Sequence, residues 1–176
     1  MTERKTMRIT AVEEYGLRCL LRVAPHSEEE PVSAQSIAEL EGMSIPYTQK
    51  ILRILSQGGL VDSKRGAYGG YYATRPIDDI SLGDVMRALG GFIEVDDLCE
   101  RHTGEREVCC NANNCTIRPV WSHISEFVMA TMDQIPLSVL AEDEHAVRRH
   151  LANLTIGDTT GEANPQATAS NQQLAN

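Results

Sequence analysis

Two short helix-forming segments separated by a tight Gly42–Met43 turn constrain the fold of this chain more than any other feature of its sequence. Ser33 is a favourable N-cap for a helix over Ala34–Glu41, and Gly42 then permits a tight turn. Ser44 caps a second helix, which the Gly58–Gly59 pair ends. Two short helices joined by a glycine-containing turn predict a helix-turn-helix unit.

A β-hairpin is predicted directly after the second helix. Leu60–Lys64 and Tyr71–Thr74 are the predicted strands, and the glycine-rich segment Arg65–Gly70 joins them. A hairpin in this position predicts a wing beside the helix-turn-helix. Its glycines allow the backbone to approach a phosphate closely. Arg65 at its root can enter a minor groove or bind a phosphate.

Further helices are predicted on both sides of this unit. Thr10 and Glu13 form a capping-box pattern at the start of a helix that runs to about Ala24. After the hairpin, Ser81 caps another helix over Leu82–Leu89. The winged unit is therefore expected to pack against helices that precede and follow it.

A longer helix is predicted from Pro119 to about Ile135, and a last helix from Ser138 to about Leu154. The longer helix carries an apolar stripe that exceeds what one small winged domain needs, so we interpret it as a dimerisation helix. A core helix that packs on its own winged domain is the alternative. The stripe, at helical three-and-four spacing, consists of Trp121, Ile124, Phe127, Val128, Thr131, Met132 and Ile135.

The predicted fold class is mainly α-helical with a small β-hairpin wing, a winged helix-turn-helix joined to a long dimerisation helix. The parts are a DNA-binding winged domain over 7–91, a cysteine-rich loop over 92–115, the dimerisation and C-terminal helices over 116–154, and a disordered tail over 155–176. The polar N-terminus has no signal-peptide pattern, and no apolar run is long enough for a membrane span. We expect a cytoplasmic protein without a membrane partner.

The formal net charge of −9 argues against binding to nucleic acid, but the charges are unevenly distributed. Between Ser44 and Arg75 five cationic side chains face a single acid, Asp62. A basic segment inside an acidic chain suits a protein that reads DNA without coating it. An ordinary solvated face is the alternative.

Four of the five cysteines fall between positions 99 and 115. In a cytosolic protein such clustering favours metal ligation or redox sensing over structural disulfides. Cys19 lies in the middle of the first predicted helix with apolar neighbours, which indicates a small core residue. The sequence contains no nucleophile–base pair, phosphate-cradling loop or paired carboxylates in a suitable setting, so we do not expect an enzyme.

The chain resembles the IscR-like and NsrR-like iron–sulfur transcription regulators over about residues 7–140, in order and without large gaps. The wing and the Ser-Leu-x-Asp-Val segment are specific when they occur together. The matching segments are Met7–Thr10, Glu14–Arg18, Ser33–Ala38, Pro46–Val61, Ser63–Tyr71, Ile80–Val85 and the Cys115-x5-Trp121 spacing.

The resemblance implies a homodimer whose recognition helices enter the major groove of a pseudo-palindromic operator in double-stranded DNA, with the wings at the flanking minor groove. Gln49 stands where some members carry a glutamate whose role depends on cluster occupancy, so that charge effect does not carry over. Glutamine can still pair with adenine edges. The DNA-contact candidates are Ser44, Tyr47, Gln49, Lys50 and Arg53 of the recognition helix, with Arg65 and Tyr68 of the wing.

The resemblance also implies that three cysteines, before a helix that bears a tryptophan, hold an iron–sulfur cluster. Cys99, Cys109 and Cys115 are the candidates, and [2Fe–2S] is favoured over [4Fe–4S]. Cys110 is surplus: it is the true second ligand, a spare thiol or half of a vicinal redox pair. Thiolates are the soft donors that such clusters require.

The fourth ligand departs from the common family pattern. Family members often use a histidine three residues after the last cysteine, where this chain has Arg118. Others use a carboxylate of the partner subunit before the first aromatic of the first helix, a position that Glu14 occupies here. His102 and an open site are alternatives. Two other functions stay open: a cluster-free winged regulator switched by thiol oxidation, and a zinc-stabilised interaction module.

Overall fold

The computed structural model describes residues 9–66, 68–90, 100 and 102–154. The predicted tail over 155–176 lies outside these residues, as do residues 91–99 and 101, which include the first part of the predicted cysteine-rich loop. The elements follow in the order α1 (Ala11–Val23), α2 (Ala34–Glu41), α3 (Ile45–Gln57), β1 (Val61–Lys64), β2 (Gly70–Ala73), a short 3-10 helix (Ile77–Asp79), α4 (Leu82–Leu89), α5 (Arg118–Asp133), α6 (Leu137–Leu140) and α7 (Glu144–Asn153).

The core of the winged domain lies where α1, α3 and α4 pack together. Leu20 of α1, Leu52 of α3 and Val85 of α4 are fully buried there, and Leu137 of α6 joins them. Truncating a buried leucine to alanine typically costs about 2–5 kcal/mol, so these contacts dominate the stability of the domain.

The start of α1 has the predicted capping box. The backbone N–H of Glu13 donates to Thr10 Oγ1 at 3.2 Å, and the backbone N–H of Thr10 donates to Glu13 Oε2 at 2.5 Å. Two N–H groups that the helix leaves unpaired are thereby satisfied. The prediction for this helix is confirmed, with α1 ending at Val23 and capped by Ala24.

The two helices of the helix-turn-helix are confirmed, with one difference at their junction. Gly42 ends α2 with φ of 67°, a left-handed conformation that favours glycine. Ser44 is the N-cap of α3 by its backbone conformation, but its hydroxyl makes no capping hydrogen bond. The predicted position of the cap is therefore confirmed, but the predicted hydrogen bond from the helix to the Ser44 side chain is absent. Instead the buried Thr48 hydroxyl donates to the Ser44 carbonyl at 3.2 Å, which satisfies a polar group in the core.

The wing is an antiparallel pair in which Val61 faces Ala73 and Lys64 faces Gly70. Val32, two residues before α2, holds the wing in place, because Val32 and Tyr71 exchange backbone hydrogen bonds of 2.9 and 2.8 Å. A Cβ on Gly70 would lie 2.5 Å from the Val32 carbonyl oxygen, so this close approach requires glycine. The wing is consequently fixed beside the helix-turn-helix.

A buried carboxylate ties α1 to α2. The Glu41 side chain, only 4% exposed, accepts hydrogen bonds from Arg18 Nε at 2.6 Å and from Arg22 Nε at 2.5 Å. Burial acts to raise the pKa of this carboxyl, but the bonds from Arg22 and Arg18 outweigh burial and hold the pKa below its ordinary value of 4.5. Glu41 is therefore charged throughout the neutral pH range.

We expect Glu41→Gln to lower the free energy of unfolding by about 1–2 kcal/mol at neutral pH, because both arginines lose a charged acceptor. The effect is limited because both guanidinium groups are nearly half exposed and stay solvated. The pKa of Glu41 is lower in the folded chain than in the unfolded chain. The parent protein therefore has this extra stability above pH 4.5 and loses it as the pH falls through the folded-state pKa.

Urea unfolding of the parent and of Glu41→Gln at about pH 7 and about pH 3 measures this difference. The gap in unfolding free energy should narrow at the lower pH. A gap of the same size at both pH values would contradict the assignment of the carboxylate as the stabilising group.

The C-terminal end of α5 is anchored to the winged domain. The backbone N–H of Leu82 donates to the Ile135 carbonyl at 2.8 Å, and that of Leu137 donates to the Ile80 carbonyl at 2.7 Å. Asp133, the last residue of α5, accepts a hydrogen bond from Arg87 of α4. The helix therefore cannot move at this end without disturbing α4.

A chain of ion pairs continues from this anchor to the wing. Arg87 pairs with Asp133 and, at 3.4 Å, with Asp84. Asp84 in turn accepts a hydrogen bond of 2.9 Å from Arg75, which follows β2. Gly83 permits the packing, since a Cβ there would lie 1.9 Å from Asp133 Oδ1.

The prediction of one continuous last helix from Ser138 to Leu154 is wrong. The chain forms the short α6, turns at Ala141 and Glu142, and begins α7 at Glu144. Asp143 causes the restart, because its side chain accepts from the Ala146 N–H at 2.9 Å as an N-cap. The length of the hydrophobic pattern could not reveal this internal cap.

The predicted long helix is confirmed as α5, but in the single chain none of its residues is buried. Trp121 is 44% exposed and Val120 is 55% exposed. With Ile124 they lie at three-and-four spacing on one face of the helix, and a contiguous exposed apolar patch is unusual in a monomeric protein. Within the described ranges, no helix combines the length and apolar character needed to cross a membrane.

Candidate DNA interface and cysteine loop

One face of α3 packs into the core and the other faces solvent. Ile51 and Leu55 are fully buried on the inner side. The outer side carries a run of exposed polar and cationic side chains, as the alternation of apolar and polar residues predicts. The exposed residues include four of the five predicted recognition-helix contacts, namely Ser44, Gln49, Lys50 and Arg53.

Tyr47, the fifth predicted contact, is half-buried. Its ring meets the ring of Tyr15 edge-to-face, with 5.9 Å between centroids and 87° between planes. The Arg18 guanidinium lies 5.3 Å from the Tyr15 ring centroid, as a cation–π contact. Tyr47 thus joins α3 to α1, and the structure gives it a packing contact that the sequence did not predict.

The wing presents its two predicted contacts to solvent. Tyr68 is 93% exposed and Arg65 is also exposed. Gly66 between them has φ of 118°, a conformation that needs glycine. Both side chains are therefore accessible from solvent.

An open groove of about 420 Å³ separates α3 from the wing. Gln49 lines it together with Gln35 at the start of α2 and Ser63 and Lys64 of β1. Lys64 Nζ donates to the Glu28 carbonyl at 3.0 Å, which joins this cation to the loop between α1 and α2. Sequence analysis did not single out Gln35 or Ser63, although Gln35 follows the predicted N-cap Ser33 within the first turn.

The described cysteine loop consists of consecutive turns that lead into α5. The Ala112 N–H donates to the Cys109 carbonyl at 3.1 Å, and the Asn114 N–H donates to the Asn111 carbonyl at 3.1 Å. Cys109 and Cys115 are half-buried, whereas Cys110 is exposed. All three are free thiols. The predicted ligand Cys99 lies outside the described residues.

The pKa values of Cys115 and Cys19 are shifted in opposite directions. Cys115 Sγ accepts the Arg118 N–H at 3.3 Å, and this bond, with a second from the Ile117 N–H, lowers the pKa of the Cys115 thiol below its ordinary value. Burial raises the pKa of Cys19, which is fully buried in α1, to about 12. Cys115 is therefore the more acidic of the two thiols, while Cys19 stays a neutral core residue.

We expect iodoacetamide to modify Cys110 and Cys115 of the iron-free native protein at least about 100 times faster than Cys19 at neutral pH. The thiolate is the reactive form, and its fraction falls about tenfold for each unit of raised pKa. Peptide mass spectrometry over a time course measures the rates. Unfolding in urea serves as the control and should remove the difference; equal rates in the native protein would contradict the burial of Cys19.

The described residues include the donor atoms that an iron–sulfur cluster needs, but they do not form an assembled site within one chain. Free thiols and a sulfur that accepts backbone N–H bonds are the chemistry that such groups use. Among the described residues, however, no three histidine, cysteine or acidic side chains lie close enough together to hold a metal ion. Glu14, the predicted fourth ligand, is exposed on α1 and accessible to a second subunit.

Comparison with known proteins identifies the family to which this combination of a winged domain and a cysteine loop belongs. A family model described as Rrf2, iron-dependent transcriptional regulator, matches residues 9–143. The chain belongs to the Rrf2 family. It is 31% identical to protein Rrf2 of Nitratidesulfovibrio vulgaris over 149 residues, which are 85% of this chain and 97% of that protein.

Two solved structures of Rrf2-type regulators resemble the fold. The IscR of T. potens gives a TM-score of 0.57 at 27% identity and covers 88% of this chain and 97% of that one. The oxidised form of Staphylococcus aureus CymR gives a TM-score of 0.55 at 28% identity, with coverage of 78% and 98%. The predicted family resemblance and fold class are confirmed. The protein is a DNA-binding transcriptional regulator by family, and its named IscR relatives are transcriptional regulators.

Proposed function

We propose that this Rrf2-family protein is a transcriptional repressor that binds a pseudo-palindromic operator as a homodimer, under control of an iron–sulfur cluster. The observation that carries the DNA-binding part is the exposed face of α3, with Gln49, Lys50 and Arg53, beside an exposed wing. Gln49 is suited to adenine edges, while the two cations are suited to phosphates or guanine. We assign DNA binding to residues 7–91, sensing to 92–115 and assembly to 116–154.

The homodimer is supported by the exposed apolar side chains of α5. Trp121 and Ile124 are 44% and 37% exposed on the helix whose apolar stripe predicts dimerisation. A two-fold axis along this helix would bury the same surface on both subunits. It would also set the spacing of the two recognition helices on DNA.

The sensing part rests on the cysteine loop. Cys99, Cys109 and Cys115 would hold the cluster, with Glu14 contributed across the dimer as the fourth ligand. An iron–sulfur cluster supplies a group that oxidants, nitric oxide or iron scarcity can remove. The loop ends where α5 begins, and the far end of α5 contacts α4. A change in the loop therefore has a structural route to the winged domain.

The test combines anaerobic absorption spectra, iron and sulfide content, and operator binding by fluorescence anisotropy. We expect a coloured protein, and we expect Cys115→Ser to lose the colour while Cys19→Ser keeps it. Operator affinity should differ between loaded and iron-free protein. A colourless protein without iron after strictly anaerobic purification would contradict cluster control but leave DNA binding intact.

A cluster-free thiol switch is the second candidate, favoured by the exposed Cys110 next to Cys109 and by the likeness to an oxidised CymR. Thiol counting before and after mild oxidation of iron-free protein distinguishes it from cluster control, since only the switch predicts reversible thiol loss with altered operator affinity. Stoichiometric zinc, found by metal analysis without operator binding, would instead support a zinc-stabilised interaction module.

A further inference from the structure

Arg118 makes hydrogen bonds to the cysteine loop with both its backbone and its side chain. Its backbone N–H donates to Cys115 Sγ at 3.3 Å, and its Nη2 donates to the Ala112 carbonyl at 3.3 Å. Both bonds are partly buried. Because Arg118 is the first residue of α5, these two bonds fix the loop to the start of the long helix.

The contact with Ala112 extends to the second candidate sulfur ligand. The Ala112 N–H donates to the Cys109 carbonyl at 3.1 Å, while its own carbonyl accepts from Arg118. A continuous series of hydrogen bonds therefore runs from Cys109 through Ala112 and Arg118 to Cys115. The two cysteines are six positions apart in the sequence, and this series of hydrogen bonds connects them across the turns of the loop.

We propose that Arg118 is a positioning residue that holds Cys109 and Cys115 in the orientation needed to bind iron. This inference rests on the proposed function. A guanidinium has no electron pair to offer a metal, so its role differs from that of the histidine that other members carry at this position. Its fixed planar donors and permanent charge suit it to hold a backbone carbonyl. Residues that orient ligands in this way typically change metal affinity by about 10–100-fold.

The test uses the full chain as Arg118→Ala and Arg118→Lys, with Arg106→Ala as a matched control. Arg106 is an exposed arginine of the same loop, so its removal changes the net charge equally. Each protein is reconstituted anaerobically with ferrous iron and sulfide. The visible circular dichroism spectrum and the rate of iron transfer to an excess chelator are then measured.

We expect iron transfer from Arg118→Ala to be about tenfold faster than from the parent, with an altered visible spectrum. Arg118→Lys should lie between the two, since a lysine retains one donor for the Ala112 carbonyl. Arg106→Ala should match the parent. Equal transfer rates in Arg118→Ala and the parent, at unchanged thermal midpoint, would overturn the proposal.

A second measurement on iron-free protein separates this inference from the proposed function. Amide hydrogen exchange at Ala112 and Asn114 should accelerate about tenfold in Arg118→Ala and recover in Arg118→Lys, because the turns open more often without the guanidinium. If the parent takes up no iron, cluster control fails. The exchange result then decides alone whether Arg118 positions the two thiols, and unchanged exchange would reject it.

Discussion

The double variant Lys50→Ala, Arg53→Ala should bind the operator about a thousandfold more weakly than the parent at physiological salt. Each side chain is exposed on the outer face of α3, and a two-fold symmetric dimer loses four cations at once. Four lost phosphate contacts also lower the slope of log affinity against log salt by about 3–4. Fluorescence anisotropy titrations across a salt series measure both quantities.

A matched control is available on α7. Arg148 and Arg149 are exposed there, and replacing both by alanine removes the same number of charges per dimer. The control should keep both the parent affinity and the parent salt slope, apart from a small long-range effect of net charge. Equal losses in the two double variants would show that overall charge, rather than the face of α3, determines binding.

The second large effect is expected from Trp121→Asp on α5. Trp121 is 44% exposed in the single chain, so a charge there costs little in a monomer but must be buried in a dimer. The cost applies to both symmetry-related copies. At about 2 kcal/mol for each copy, the dimer dissociation constant rises about a thousandfold. Sedimentation equilibrium measures this constant, and operator affinity should fall with it.

Glu126→Gln provides the control for this variant, because Glu126 is an exposed polar residue of the same helix. It should leave the assembly state unchanged. The thermal midpoint of Trp121→Asp, measured at a concentration where the parent is also monomeric, should stay close to that of the parent. A large drop under those conditions would instead indicate the alternative interpretation, in which α5 packs as a core helix on its own winged domain.

The winged domain could be predicted closely because its signals are local. The capping box of Thr10 and Glu13, the glycine turn at Gly42 and the hairpin after Gly59 each act within a few residues along the chain. Local hydrogen bonding and backbone conformation determine such features before tertiary packing does. The fold class followed from their order.

The features that the sequence did not predict depend on contacts between distant positions. Tyr47 was predicted only as a DNA contact, and its packing against the ring of Tyr15 is seen only in the folded chain. Glu41 was predicted only as the last residue of a helix, and folding brings Arg18 and Arg22 onto its carboxylate. Arg118 was noticed only as the absence of a histidine, because hydrogen bonds to a sulfur and to a carbonyl leave no sequence pattern.

The ligands in the cysteine loop could be predicted in part from the sequence. Its donor types follow from the positions of Cys109 and Cys115, and their sulfurs are free thiols in the described loop. Their assembly into a metal site needs Cys99 and a second subunit, and neither can be derived from the spacing of one chain. These ligand assignments therefore stay predictions.

The ion pairs that connect Asp133 to Arg87, Asp84 and Arg75 couple any movement of α5 to the winged domain. With 16 residues the helix is about 24 Å long, with the sulfur-bearing turn at one end and this clamp at the other. A tilt of about 10° at the sulfur end then displaces the clamped end by about 4 Å. That displacement is close to the rise of one base pair, about 3.4 Å. In the dimer that we propose, a small tilt of α5 would therefore be enough to move the two recognition helices into or out of register with the two halves of an operator.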